Sequence, residues 1–135
     1  MSNNDINVNK NNSLDDIAYE GAEITLGGKT RRLKYNFTGI RVLLRKYGSL
    51  QKALKEFSKI EKSNGDITND MLDVFTTMIY AGLVHEDKTL TFEQVDGMLN
   101  FRNVTKNIEA ISEALANSLP ETGDTDEKNP KTPAL

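Results

Sequence analysis

A change of hydrophobic period is the feature that most constrains this chain. From Ala22 to Phe37 the apolar residues recur every second position: Ala22, Ile24 and Leu26, then Leu33, Tyr35 and Phe37, alternating with polar side chains. Gly27-Gly28 stands between the two runs. Glycine reaches the positive φ of primed two-residue turns, so the pattern predicts a β-hairpin with one face buried. Beyond residue 37 the spacing becomes helical. Ile40, Leu43, Leu44 and Tyr47 form one stripe of a helix beginning near Thr38, and Leu50, Ala53, Leu54 and Phe57 repeat it to about Ile60. Gly48 fits a left-handed helix end and Ser49 fits the next N-cap.

The helical pattern continues to residue 119. Asn64-Gly65 predicts a turn, and Thr68 or Asp66 a cap for a third helix carrying Met71, Leu72, Phe75, Met78, Ile79 and Leu83. That apolar set is broad, which makes this the most buried helix. His85 to Lys88 reads as an exposed polar loop. Thr91 and Gln94 have the spacing of a capping box, opening a short helix through Val95 and Leu99. A last helix from about Phe101 to Leu119 carries a narrow seam of Phe101, Val104, Ile108, Ile111, Leu115 and Leu119. The predicted fold class is α+β, mainly α: an N-terminal hairpin followed by about five short-to-medium helices.

Composition limits the rest. Hydrophobic residues make up 37% of 135, enough for one modest core. Residues 1–17 are Asn-rich and read as a disordered arm. Residues 120–135 hold all three prolines and read as a disordered tail, which leaves one domain over 18–119. The opening residues contain no apolar run of a signal peptide, and no stretch approaches the roughly 20 apolar residues of a membrane helix. A cytoplasmic protein is the expectation.

Tests for chemistry come out negative. With no Cys and His85 as the single histidine, thiol nucleophiles, thiolate sites and multi-histidine metal sites are excluded. Gly28-Lys29-Thr30 ends like a phosphate-binding loop, but Glu23 occupies the place of its first glycine and a strand follows where a helix is needed. Asn64, Asp66, Thr68 and Asp70 alternate like calcium ligands. Asn69 and Phe75, however, stand where that loop needs glycine and a bidentate glutamate. His85-Glu86 lacks the second histidine of a zincin. Leu119-Pro120-Glu121-Thr122-Gly123 matches a sortase signal without the apolar segment and basic tail that follow one. The expectation is no enzyme, no cofactor and no metal.

Charge is the remaining signal. The net charge of −3 conceals a division: residues 29–62 hold 11 of the 17 basic side chains against Glu56 and Glu61. That block therefore carries +9 and the rest of the chain −12. Arg41, Arg45, Lys46, Lys52, Lys55 and Lys59 fall between core positions of a helix pair broken at Gly48, loosely like a helix-turn-helix. A basic face of this kind meets solvent, nucleic acid, an acidic protein partner or the acidic half of another copy. The seam on the last helix either packs internally or pairs with a partner helix.

Several phrases together resemble a family. The hairpin Glu23-Ile24-Thr25-Leu26-Gly27-Gly28-Lys29-Thr30 leads to Met78-Ile79-Tyr80-Ala81-Gly82-Leu83-Val84-His85-Glu86-Asp87, then Leu90-Thr91-Phe92-Glu93-Gln94-Val95. Over residues 20–119 the chain resembles the tail assembly chaperones of long-tailed (siphovirus-type) bacteriophages and prophages. The long Asn-rich arm departs from that pattern. The resemblance implies a non-catalytic protein in the bacterial cytoplasm that coats the tape measure protein while the tail tube polymerises, and is absent from the mature virion. It also implies a longer frameshifted form in many such phages that recruits the tail tube protein; Glu127-Lys128-Asn129 is compatible with an A-rich slippery run. On this reading the seam Phe101, Val104, Ile108, Ile111 and Leu115 supplies an apolar groove. Arg41, Arg45, Lys52 and Lys55 supply charge for the tape measure or for homo-oligomer contacts. The alternatives are a small DNA-binding regulator using the basic helix pair at 38–60, and a generic protein-interaction adaptor.

Overall fold

The computed structural model describes residues 19–120. The predicted arm at 1–17, the tail beyond Pro120 and the Glu127–Asn129 stretch lie outside the described residues. Strands β1 (Ala22–Leu26) and β2 (Lys29–Leu33) form an antiparallel hairpin. Helices α1 (Phe37–Tyr47), α2 (Leu50–Glu61), α3 (Asn69–Leu83), α4 (Phe92–Met98) and α5 (Val104–Ser118) follow, with one 3₁₀ turn at Phe101–Asn103. The fold is α+β and mainly α.

The hairpin turns through Gly27 and Gly28 at φ 63° and 76°, the positive pair that a type I′ turn requires. Its register is Ala22↔Leu33, Ile24↔Arg31 and Leu26↔Lys29. In a two-residue hairpin the residues flanking the turn exchange hydrogen bonds, and bonded pairs alternate from there. Ala22, Ile24 and Leu26 therefore turn their main-chain groups toward β2, while Glu23 and Thr25 turn theirs outward. The buried face carries Ala22, Ile24, Leu26, Leu33 and Tyr35.

Helix starts and stops follow local chemistry. Ser49, Thr68 and Thr91 accept from Lys52, Met71 and Gln94 amides, and Gly48 ends α1 at φ 87°. Thr91 and Gln94 form the reciprocal capping box. Asn36 caps α1 by accepting from the Gly39 amide at 3.0 Å. That cap ends the extended segment one residue early. Phe37 is thereby the first helical residue and 81% exposed, in place of the inward strand position its alternation predicts.

Helix α3 lies at the centre, touching α1, α2, α4, α5 and β2. It buries nine residues, Val74 to Ile79 and Ala81 to Leu83. Leu72, expected inside, is 41% exposed because it lies before this buried stretch, one turn into the helix. Close approach is built from glycine. A Cβ on Gly39 would stand 2.3 Å from the Ala81 carbonyl oxygen, and one on Gly82 would stand 2.8 Å from Leu33 Cδ2. Tyr35 crosses between layers, its hydroxyl donating to the Met78 carbonyl at 2.7 Å and its amide to Ser118 Oγ at 3.1 Å. Burial pushes the Tyr35 phenol far above its ordinary pKa, with nearby Tyr19 adding to the effect.

The far end of the outer β2 edge is tied to the end of α3 and the loop after it. Lys34 N donates to the Gly82 carbonyl at 2.9 Å. His85 Nε2 lies 2.8 Å from the Arg32 carbonyl and donates to it. The histidine read as an exposed loop residue is therefore half-buried and ties the loop to the hairpin. Arg31, one of the basic residues of the 29–62 block, is also turned inward: it is 9% exposed and its Nε donates to Leu26 O at 3.2 Å.

Candidate partner-binding surfaces

Two surfaces hold the residues singled out by sequence. The first is an apolar cleft where α3, α4 and the start of α5 meet. The capping box fixes the start of α4, and Thr76 Oγ1 donates to Asp96 Oδ1 at 2.9 Å, holding α4 on α3. Asn100 then accepts from the Arg102 amide at 2.9 Å, which starts the 3₁₀ turn and directs Phe101 outward at 62% exposure. The cleft holds about 190 Å³ and is lined by Leu72, Phe75, Leu99, Phe101 and Val104, with Thr76, Asp96 and Asn100 as its polar groups. Leu72 and Phe101 flank the opening as large apolar side chains left in solvent.

This cleft is not the groove that the seam spacing predicts. Phe101 and Val104 line it, and Ile108 is half-buried further along α5. Ile111 and Leu115 are 0% and 8% exposed, in the core. The correction has a packing cause: the C-terminal half of α5 lies against the hairpin and α3, which cover that part of the seam. Leu72, Phe75 and Leu99 replace them. Leu72 and Phe75 come from α3, which sequence spacing places in the core, so no pattern within α5 reveals them as cleft residues.

The second surface is the α1–α2 pair. Arg41, Arg45, Lys52 and Lys55 are all exposed, with no ion pair to another described residue. Phe37, Arg41, Leu44 and Arg45 fall at i, i+4, i+7 and i+8, one exposed stripe of α1. Two of the expected free cations are engaged. Lys46 pairs with Asp73 at 2.6 Å and lies 5.8 Å from the Phe92 ring centre, pinning α1 to α3 and α4. Lys59 pairs with Glu56 at 3.0 Å on its own helix.

No cluster of three or more His, Asp or Glu side chains able to hold a metal occurs among the described residues. The Asp87 carboxyl is held below its usual range, first by hydrogen bonds from Thr89 and then by Lys29 and Arg31. The loop position of Asp87 makes this a turn contact (Thr89 donates its amide at 3.0 Å and its hydroxyl at 2.6 Å). No described helix is long and apolar enough to cross a membrane.

Comparison of the chain with protein-family models, with curated proteins and with solved structures gave no match in any of the three. The functional reading therefore rests on the residues and their arrangement.

Proposed function

We propose that the protein is a non-catalytic tail assembly chaperone of a long-tailed phage or prophage, acting in the host cytoplasm on the tape measure protein. One observation carries the reading: an open apolar cleft flanked by exposed Leu72 and Phe101. Reversible capture of an amphipathic helix needs such features, apolar anchors in a groove with a polar rim. The phrases at residues 78–87 and 90–95 support the family assignment. The exposed cations Arg41, Arg45, Lys52 and Lys55, unpaired among the described residues, supply long-range attraction to acidic segments of the partner.

The test is co-expression with the tape measure protein of the encoding genome, followed by affinity purification. The double variant Leu72→Asp, Phe101→Asp keeps its circular dichroism spectrum and loses co-purification at least tenfold. Retained capture by the folded variant refutes the cleft, and failure of the wild-type chain to capture refutes the chaperone reading. DNA-binding titration addresses the regulator alternative, because affinity that falls steeply with salt would mark the α1–α2 face as a nucleic-acid surface.

A further inference from the structure

The two edges of the hairpin are treated differently. At β2 the outward Arg32 carbonyl and the Lys34 amide are taken by His85 and Gly82. At β1 the outward N–H and C=O groups of Glu23 and Thr25 have no hydrogen-bond partner among the described residues. An open edge is a template for another strand, and natural folds usually blunt or cover it. Here it borders a cleft of about 410 Å³, walled on one side by Glu23, Ile24 and Thr25 and on the other by Asn103, Lys106 and Asn107 of α5. Asn107, which lines this cleft, is 4% exposed.

We propose that the outer edge of β1 is a strand-addition site for an extended peptide segment of another protein. The inference is independent of the chaperone reading and of the α3–α5 cleft. An added strand takes four main-chain hydrogen bonds from Glu23 and Thr25 and lies between β1 and α5. Its side chains alternate between two faces. Those toward α5 meet Asn103, Asn107 and Lys106, whose ammonium has no ion pair among the described residues. A carboxylate or amide therefore fits the central position on that face. On the other face, β-branched residues pack beside Thr25. The chain's own residues 121–127 supply acids, but Gly123, Asp124 and Asp126 are poor strand formers, which favours a separate polypeptide.

The probe is the capped peptide acetyl-Thr-Val-Thr-Asp-Thr-Val-Thr-amide, added to the ¹⁵N-labelled full chain. Saturating peptide is expected to slow hydrogen exchange at the Glu23 and Thr25 amides at least tenfold, and to leave the Ile24 amide, already bonded to β2, unchanged. Thr25→Pro removes an outward N–H without touching the β1–β2 ladder, and is expected to fold and lose binding. Replacing the peptide's Asp by Lys is expected to weaken binding at least fivefold through Lys106. Unchanged exchange at Glu23 and Thr25 overturns the proposal, as does equal binding by folded Thr25→Pro. Glu23 and Thr25 amides already protected in the free full chain also overturn it, since one of the chain's own segments then fills the edge.

Discussion

Gly39→Ala sets two effects of opposite sign against each other. Inside a helix, alanine is favoured over glycine by about 1 kcal/mol, so helix propensity alone predicts stabilisation. The position also faces α3, where the new Cβ would stand 2.3 Å from the Ala81 carbonyl oxygen. Ordinary contact begins near 3.4 Å, so α1 must retreat by roughly 1 Å, and gaps of that size forfeit a quarter to a half of each contact's dispersion energy. Leu43 and Gly39 are the buried residues of α1, and both lose contact as the helix lifts. Overpacking of a close-packed core costs about 1–3 kcal/mol. The clash wins, with a net loss of about 1–2 kcal/mol and a Tm lower by at least about 4 °C for a domain of this size. Urea denaturation followed by far-UV circular dichroism measures it. Gly97→Ala is the matched control in α4, with no atom within 4 Å of its Cβ, and is expected to gain about 0.5–1 kcal/mol. A Gly39→Ala protein as stable as wild type, or more so, would refute the close-packing account of the α1–α3 contact.

The remaining predictions concern titration and the surfaces. Tyr35 has a folded pKa raised above its unfolded value, so its contribution to stability is complete below about pH 10 and is lost as pH rises above that. Tyr35→Phe should cost about 1 kcal/mol at neutral pH through the lost bond to Met78 and should flatten the alkaline fall in stability, read from Tm between pH 8 and 11. Asp87 has a lowered pKa, so its contribution is present above the ordinary carboxylate range and lost as pH falls. Thr89→Val should move its NMR titration midpoint upward, and an unchanged midpoint would remove Thr89 as the main cause. Ile111→Asp buries a charge at a fully enclosed site and should cost about 3 kcal/mol or more. Phe101→Asp, at an exposed position, should change stability by less than about 0.5 kcal/mol; comparable losses for the two would contradict the placement of α5.

The features legible in the sequence are those decided within a few residues. Gly27-Gly28 dictates the hairpin turn because few other residues accept two successive positive φ angles. Ser49, Thr68 and Thr91 begin helices because their side chains satisfy amides three residues ahead. The change from period two to helical period then gives the class, a hairpin followed by helices, before any tertiary contact is known. The functional surfaces were less legible. Periodicity reports that Ile111 and Phe101 share a seam but not which of them another element covers. The hairpin and α3 bury Ile111, whereas the 3₁₀ turn set by Asn100 leaves Phe101 in water. Arg31 and Lys46 count as free cations until the Leu26 carbonyl and Asp73 are found beside them, and Leu72 counts as core until α3 is seen to bury a later stretch. Likewise the strand pattern predicts two edges without distinguishing them; the end of α3 and the loop after it take the Arg32 carbonyl and Lys34 amide of one, and no described residue pairs with Glu23 and Thr25 on the other. Local hydrogen bonding and backbone sterics are properties of short segments, so the sequence alone determined the elements. Exposure belongs to a pair of surfaces brought together from distant parts of the chain, so the tertiary structure alone decided which faces remain for a partner.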